Sequence, residues 1–223
     1  PRMIQTWTFD VSTYPNKGLA KLVFGPQVRR VLACADLITT DGEALAEYVT
    51  SHYPRISAPI VPVRWGIDTN EIDDSRKTAD FRKEHQIPEH APLVVSGRGI
   101  DRVYRPKIAL SALARLLDED DEAYVVVLTL GHAVEDKVKE LLDRIREHSR
   151  GRVFDTFLPR KEIVAIWLAA DITVSIPQTD GISEGLLEAM YAGAIPVVSD
   201  IPSNRTFLKD RVNGYFVSGS DQN

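Results

Sequence analysis

The chain has 223 residues, of which 43% are hydrophobic and 26% charged, a globular composition with room for one or two domains. Its net charge of −5 gives no support to a nucleic-acid partner, whose binding surface would be basic. A single cysteine, Cys34, excludes an internal disulfide framework and fits a reducing compartment. No apolar run reaches the roughly eighteen residues that a membrane-spanning helix needs.

The first part of the chain alternates predicted strands and helices. Short apolar or β-branched runs predict the strands, and apolar residues at helical spacing predict the helices. The predicted order is a strand at 3–9, helices within 16–35, a strand at 37–40, a helix at 43–51 and a strand at 56–63. The Gly25-Pro26 pair is predicted to divide the first helical region into two helices. This alternation predicts an α/β layer with a parallel sheet.

A turn containing Gly66 and Asp68 interrupts the alternation, and the polar run 69–77 is predicted to be a linker. A short helix at 78–85 then leads into a second α/β series. Its predicted elements are strands at 92–96, 124–130, 153–158 and 172–176, helices at 107–117, 134–148 and 161–170, an apolar strand that follows Gly193 and runs to Val198, and a closing helix at 202–208 with a strand at 214–217. The predicted division is therefore a first domain at 1–64, a crossing at 65–77 and a second domain at 78–223.

The stretch 180–198 carries the strongest functional signal. A helix is predicted to begin near Ser183, a favourable N-cap residue, so that Glu184 and Glu188 share one face. The opposite face is predicted to be buried through Leu186, Leu187 and Met190. Unpaired N–H groups of the preceding loop, at the positive end of this helix, suit a phosphate.

Two carboxylates frame this stretch. Asp180 would lie beside the phosphate, and Glu188 about two turns further along the helix, roughly 9–12 Å away. That distance is about the reach from a diphosphate to its ribose, so the arrangement suits a nucleotide-diphosphate-sugar.

The stretch resembles the donor-site motif of retaining glycosyltransferases of family 4, the group 1 glycosyltransferases. In that motif an acidic residue, seven intervening residues and a Glu precede Ala-Met and a Gly. Here these positions are Asp180, Glu188, Ala189, Met190 and Gly193, with Asp where the family more often has Glu. The resemblance implies the GT-B fold, with two Rossmann-like α/β domains and parallel sheets, the first only partly present. It also implies sugar transfer with retained anomeric configuration and without a required metal or other cofactor.

By the same resemblance, Glu188 would bind the ribose, Asp180 the donor sugar and Arg98 the diphosphate. Arg98 follows the predicted strand 92–96, at the carboxyl edge where ligands of open α/β sheets collect. The family clamp also has a Lys, for which Arg102, Arg105 and Lys107 are open candidates; alignment on the next helix puts Tyr104 there. The predicted donor site comprises Arg98, Arg102, Lys107, Asp180, Gly181, Ile182, Ser183, Glu184 and Glu188, with Arg98 and Asp180 in catalysis.

Two other polar residues are weaker candidates. The resemblance places Asp10 in the family's Gly-Ser-Asp turn, although a turn cap is the favoured role. His132 follows the strand 124–130 and could contact base or sugar, although an ordinary loop histidine is favoured. No Cys/His spacing suggests zinc, and no Asp-x-Asp at a strand end suggests a metal-bound diphosphate.

The expected partners are a nucleotide-sugar donor and an acceptor that is a glycan, a lipid or a small molecule. We expect a cytoplasmic location and keep open a peripheral association with the inner face of a membrane through first-domain segments. Two alternatives also stay open. A sugar-nucleotide epimerase of the same fold would use the same clamp, and a non-catalytic nucleotide-sugar-binding domain would need no acceptor.

Overall fold

The structure is a computed structural model that describes residues 1–7, 11, 20–129 and 135–218, with the side chains of 20 and 21 outside the description. The chain forms two compact units. The first comprises Pro1–Gly66, Thr179–Ser183 and Ile201–Phe207, and the second comprises Ile67–Gln178, Glu184–Asp200 and Leu208–Asn223. Among the described residues, no helix is both long and apolar enough to cross a bilayer.

Strands and helices alternate along the described chain. In order they are β1 (Met3–Thr6), α1 (Ala20–Ala33), β2 (Leu37–Thr40), α2 (Glu43–His52), β3 (Ile60–Pro62), α3 (Thr69–Ser75), α4 (Phe81–Glu84), β4 (Leu93–Ser96), α5 (Pro106–Glu119), β5 (Tyr124–Leu128), α6 (Asp136–Glu147), β6 (Gly151–Phe154), α7 (Arg160–Ala169), β7 (Ile172–Ser175), α8 (Glu184–Ala192), β8 (Ile195–Ser199), α9 (Pro202–Arg205) and β9 (Tyr215–Val217). A 3₁₀ turn at Arg102–Tyr104 precedes α5.

The first unit contains a three-stranded parallel sheet in the order β1-β2-β3. Its core is a single cluster of buried side chains from this sheet and from α1 and α2, including Leu32, Ile38 and Val49. Helix α1 is continuous, so the predicted division at Gly25-Pro26 is wrong. A proline inside a helix leaves only the carbonyl four residues earlier without its partner. That residue, Leu22, is 72% exposed, so water can satisfy the carbonyl.

The second unit contains a six-stranded parallel sheet in the order β6-β5-β4-β7-β8-β9. Both faces of this sheet are buried, as strand β5 illustrates. Val126 belongs to one buried cluster, and Val125 and Val127 belong to the other. A continuous β-branched run is typical of such a doubly covered parallel strand. The strand order changes direction between β4 and β7, and such a switch point leaves a crevice at the carboxyl edge of the sheet.

Residues 69–75 form a helix where the sequence predicts a linker. Asp68 starts α3 by accepting a hydrogen bond from the Glu71 backbone N–H at 3.1 Å, and Ile72 is fully buried. An N-cap carboxylate and a buried apolar side chain both favour a helix here.

Candidate functional site

The switch point of the six-stranded sheet opens into a cleft of about 480 Å³ in the second unit. Gly97 and Arg98 follow β4, Leu128 ends β5, and Glu184 and Gly185 begin α8. The complete lining is Asp68, Glu71, Gly97, Arg98, Leu128, Arg160, Ile163, Trp167, Glu184, Gly185 and Glu188. Three predicted donor-site residues, Arg98, Glu184 and Glu188, therefore meet in one cleft.

The indole of Trp167 lies between Gly97 and Gly185. A Cβ on Gly97 would lie 2.0 Å from Trp167 Cη2, whereas one on Gly185 would lie 3.5 Å from Cζ2. Trp167 is 4% exposed, so the ring cannot easily move away from Gly97. Glycine at position 97 thus allows the chain entering Arg98 to pass directly over the ring.

Arg98 lies over an aromatic ring. Its Cζ is 4.5 Å from the ring centroid of Tyr104, the residue that alignment places at the family's Lys position. A guanidinium over a tyrosine face is attracted by the ring quadrupole, by about 0.5–2 kcal/mol. Tyr104 is therefore suited to orienting Arg98 rather than to supplying a second cation.

Glu188 is buried, with 2% of its surface exposed, whereas Glu184 in the first turn of α8 is exposed. Both residues line the same cleft, but only Glu188 is shielded from water. On the predicted apolar face Leu186 is buried, while Leu187 and Met190 are only partly buried. The helix itself begins one residue after Ser183, as predicted.

Arg160, the first residue of α7, joins two carboxylates of the cleft. Its Nη2 lies 2.5 Å from Glu188 Oε1, and its Nε donates to Glu71 Oε2 at 2.9 Å. Contact with Glu188, and secondarily with Glu71, raises the pKa of the Arg160 guanidinium above its ordinary value. Neither Arg160 nor Glu71 is predicted as a site residue from the sequence, because nothing in the local sequence shows which distant partner a charged side chain contacts.

Arg102 and Lys107 lie beside a different hollow, of about 340 Å³, which Arg105 and Glu135 also line. Arg102 Nε and Lys107 Nζ contact the Glu135 carboxylate at 2.6 and 3.0 Å. Hydrogen bonds from Lys107 and then Arg102 lower the pKa of Glu135. The structure does not bring these two cations to the cleft of Arg98, and their donor-binding role stays a prediction.

Asp180 to Ser183 belong to the first unit. The Gly181 N–H donates to Asp180 Oδ1 at 3.0 Å, and Ile182 packs over Gly42. A Cβ on Gly181 would lie 1.8 Å from Asp41 Oδ2, so only glycine lets this carboxylate approach the loop. Asp41 is 5% exposed. The sequence analysis did not select it, although its place directly after β2, at a sheet edge, was a usable signal.

Two weaker candidates, Asp10 and His132, lie outside the described residues. Within the described ranges, no group of three or more His, Cys, Asp or Glu side chains is arranged to hold a metal ion.

Sequence comparison finds relatives among glycosyltransferases. The family model for glycosyl transferases group 1 matches residues 77–223. The D-inositol 3-phosphate glycosyltransferase of Corynebacterium glutamicum (strain R) is 27% identical over 194 residues, which cover 83% of this chain and 46% of the relative. That of Geodermatophilus obscurus is 25% identical over 204 residues, covering 86% and 44%. The chain thus spans about half the length of the curated relatives it matches.

Solved structures show the same architecture. Anabaena Alr3699/HepE in complex with UDP-glucose superposes with a TM-score of 0.68 at 15% identity, covering 88% of this chain and 54% of that one. The sucrose-phosphate synthase of Thermosynechococcus elongatus gives 0.71 at 13% identity, covering 96% and 52%. These likenesses show an α/β fold with parallel sheets of the GT-B type. Since the family model covers more than half of the chain, the chain belongs to the group 1 glycosyltransferases.

Proposed function

We propose that this chain binds a nucleotide-diphosphate-sugar and serves a glycosyltransferase that moves the sugar to an acceptor glycan, lipid or small molecule with retained anomeric configuration. The observation that carries the proposal is that Arg98 and Glu188 line one cleft beside the first turn of α8. A cation for phosphate and a carboxylate for hydroxyls are the two groups that a nucleoside diphosphate needs. The comparisons support the substrate class, since one relative is a D-inositol 3-phosphate glycosyltransferase and one structural neighbour is bound to UDP-glucose.

Arg98 has the role of binding the diphosphate. Negative charge grows on the leaving diphosphate during transfer, and a fixed guanidinium stabilises it most in a site that excludes water. The positive end of the α8 dipole, at the start of that helix, adds to this field. We propose that these groups meet the charge of the leaving group without a required metal ion.

The two framing carboxylates have different roles in the proposal. Glu188 accepts hydrogen bonds from the ribose hydroxyls of donor and product alike. Asp180, with the backbone of residues 181–183, contacts the transferred sugar, which the product nucleoside diphosphate lacks. Its contact matters most in the transition state and therefore affects the rate of transfer more than the binding of product.

The role of Arg98 is tested by calorimetric titration of UDP, ADP and GDP into the wild type and Arg98→Ala. A charge-assisted contact to phosphate is worth roughly 1.5–3 kcal/mol, so the variant should bind the preferred diphosphate about tenfold more weakly or worse. Arg115→Ala is the matched control, because Arg115 pairs with Glu119 on the surface of α5. Equal affinities in a folded Arg98→Ala would refute the assignment.

The reaction is tested with the full-length protein and the nucleotide-sugar whose diphosphate binds best. Transfer should continue in excess EDTA, and nuclear magnetic resonance of the product should show the anomeric configuration of the donor. Inversion, or loss of activity that added magnesium restores, would contradict the proposed mechanism while leaving donor binding intact.

A further inference from the structure

We infer that Arg160 is a positioning residue for the ribose: it holds the Glu188 carboxylate in the orientation that accepts the ribose hydroxyls, and it does so only when it is itself anchored by Glu71. This inference rests on the proposed function, because it concerns the carboxylate that would accept the ribose hydroxyls.

The first step concerns the charge of Glu188. At 2% exposure the carboxylate has lost nearly all contact with water, and a buried charge without a partner is strongly unfavourable. Arg160 supplies the compensating charge at 2.5 Å. Without Arg160 the carboxylate would lose this partner and turn to a different rotamer.

The second step concerns how many hydrogen bonds the Glu188 carboxylate can accept. Arg160 occupies one oxygen, Oε1, which is itself buried and receives no well-directed hydrogen bond in the described structure. A carboxylate has two oxygens and about four lone-pair sites. A carboxylate paired through one oxygen thus has the capacity to accept from two neighbouring hydroxyls of a ribose through the other, and the position of Arg160 determines how that other oxygen is aimed.

The third step concerns the anchor. Arg160 is a long side chain, 40% exposed, and such a side chain is positioned only if a second contact fixes it. Glu71 provides that contact at 2.9 Å, and its helix, α3, is in turn held on α8. Arg76 Nη1 and Nη2 donate to the carbonyls of Ala192 and Tyr191 at 3.2 and 2.9 Å. One network therefore runs from α3 through Arg160 to the predicted ribose site.

The experiment compares two ligands that differ only in the ribose. Affinities are measured for the nucleoside diphosphate, among UDP, ADP and GDP, that the wild type binds best, and for its 2′,3′-dideoxy analogue. The wild type should prefer the ribose form. Arg160→Met should weaken the ribose form about tenfold and leave the dideoxy form within about twofold. Arg160→Lys should restore part of the preference, because an ammonium can pair with one carboxylate but not fix both.

Two further variants distinguish a specific effect of Arg160 on Glu188 from a general destabilisation of the second unit. Arg160→Met combined with Glu188→Gln should bind no more weakly than the worse single variant, because both act on the same contact. Lys77→Met removes an exposed ion pair with Asp74 on α3, outside this network, and should retain the ribose preference.

The outcomes are distinguishable. If the wild type binds no nucleoside diphosphate, the proposed function and this inference both fail. If the wild type binds both ligands equally, donor binding stands and the inference fails. A loss for both ligands in Arg160→Met, or a loss of ribose preference in Lys77→Met, also overturns the inference, because it would show a structural role alone.

Discussion

At the scale of single residues, the cleft depends on contacts that tolerate very little change in size. Gly97 and Gly185 flank the same indole, yet a methyl group added at the first would overlap Trp167 and one added at the second would make an ordinary contact. A buried ring and a chain passing over it are packed as closely as an organic crystal. The backbone path that leads into Arg98 therefore requires glycine at position 97, because any side chain there would overlap the Trp167 ring.

These two glycines give a matched stability prediction. Gly97→Ala should lower the free energy of unfolding by roughly 1–3 kcal/mol, because the new methyl group overpacks the core. Gly185→Ala should be neutral or stabilising by up to about 1 kcal/mol, since alanine is the better residue within a helix. Urea denaturation of the two variants measures the difference. The packing argument would be wrong if Gly97→Ala were as stable as the wild type.

The carboxylates give a prediction on binding. Glu188→Gln should weaken donor and product nucleoside diphosphate alike, by roughly 1–3 kcal/mol. Asp180→Asn should leave nucleoside-diphosphate binding nearly unchanged while slowing transfer, since its contact exists only while the sugar is present. Titration with both ligands, together with transfer rates of the full-length protein, tests this. Equal losses in both variants would assign the two residues one shared structural role.

At the scale of elements, short helices are held by specific side chains rather than by their length. Helix α4 has four residues, and its ends are fixed by an aromatic cluster against β6. The His85 ring lies 4.2 Å from that of Phe81 and 5.5 Å, edge-on, from that of Phe154. Burial in this cluster, and then the charge of Arg152, lowers the pKa of His85.

This lowered pKa predicts how stability depends on pH. The unfolded chain takes up a proton at a pKa of about 6.5, whereas folded His85 resists it, so the unfolded state binds more protons below that pH. The stabilisation is complete above pH 6.5 and is lost as pH falls towards the folded pKa. The melting temperature of His85→Phe should therefore decline less than that of the wild type between pH 7.5 and 5.5. His90→Gln, at an exposed histidine, is the control; identical slopes in all three proteins would contradict the prediction.

At the scale of the whole molecule, the second unit carries its own sheet, two buried clusters and every residue that lines the cleft of Arg98. The first unit has a separate sheet and one buried cluster. A unit with its own core on both faces of a six-stranded sheet meets the usual condition for independent folding.

A fragment of residues 67–218, which contains the described part of the second unit together with the first-unit segments 179–183 and 201–207, should therefore fold alone. Thermal unfolding followed by circular dichroism should be cooperative, and the affinity for the preferred nucleoside diphosphate should stay within about threefold of that of the whole chain, roughly 0.6 kcal/mol. An aggregated or non-cooperative fragment would show that the two units fold only together.

The sequence by itself determined the elements whose signal is local. The apolar run of β5, the helical spacing in α8 and the position of Arg98 after β4 are all readable within about ten residues, because side-chain periodicity follows directly from backbone geometry. The same holds for the α/β class, since alternating strands and helices leave few other arrangements. The continuity of α1 through Pro26 was not readable, because it depends on whether one carbonyl meets water.

Only the tertiary structure decided which charges are available in the cleft. Lys107 and Arg102 contact Glu135, about thirty residues away in sequence, and Arg160 reaches Glu71 and Glu188 from either side. A charged side chain has the same local signature whether it is solvated, paired or aimed at a ligand. The partner of such a side chain depends on which loops meet at the same edge of the sheet. The strand order decides this, and strand order cannot be read from the residues next to that side chain in sequence.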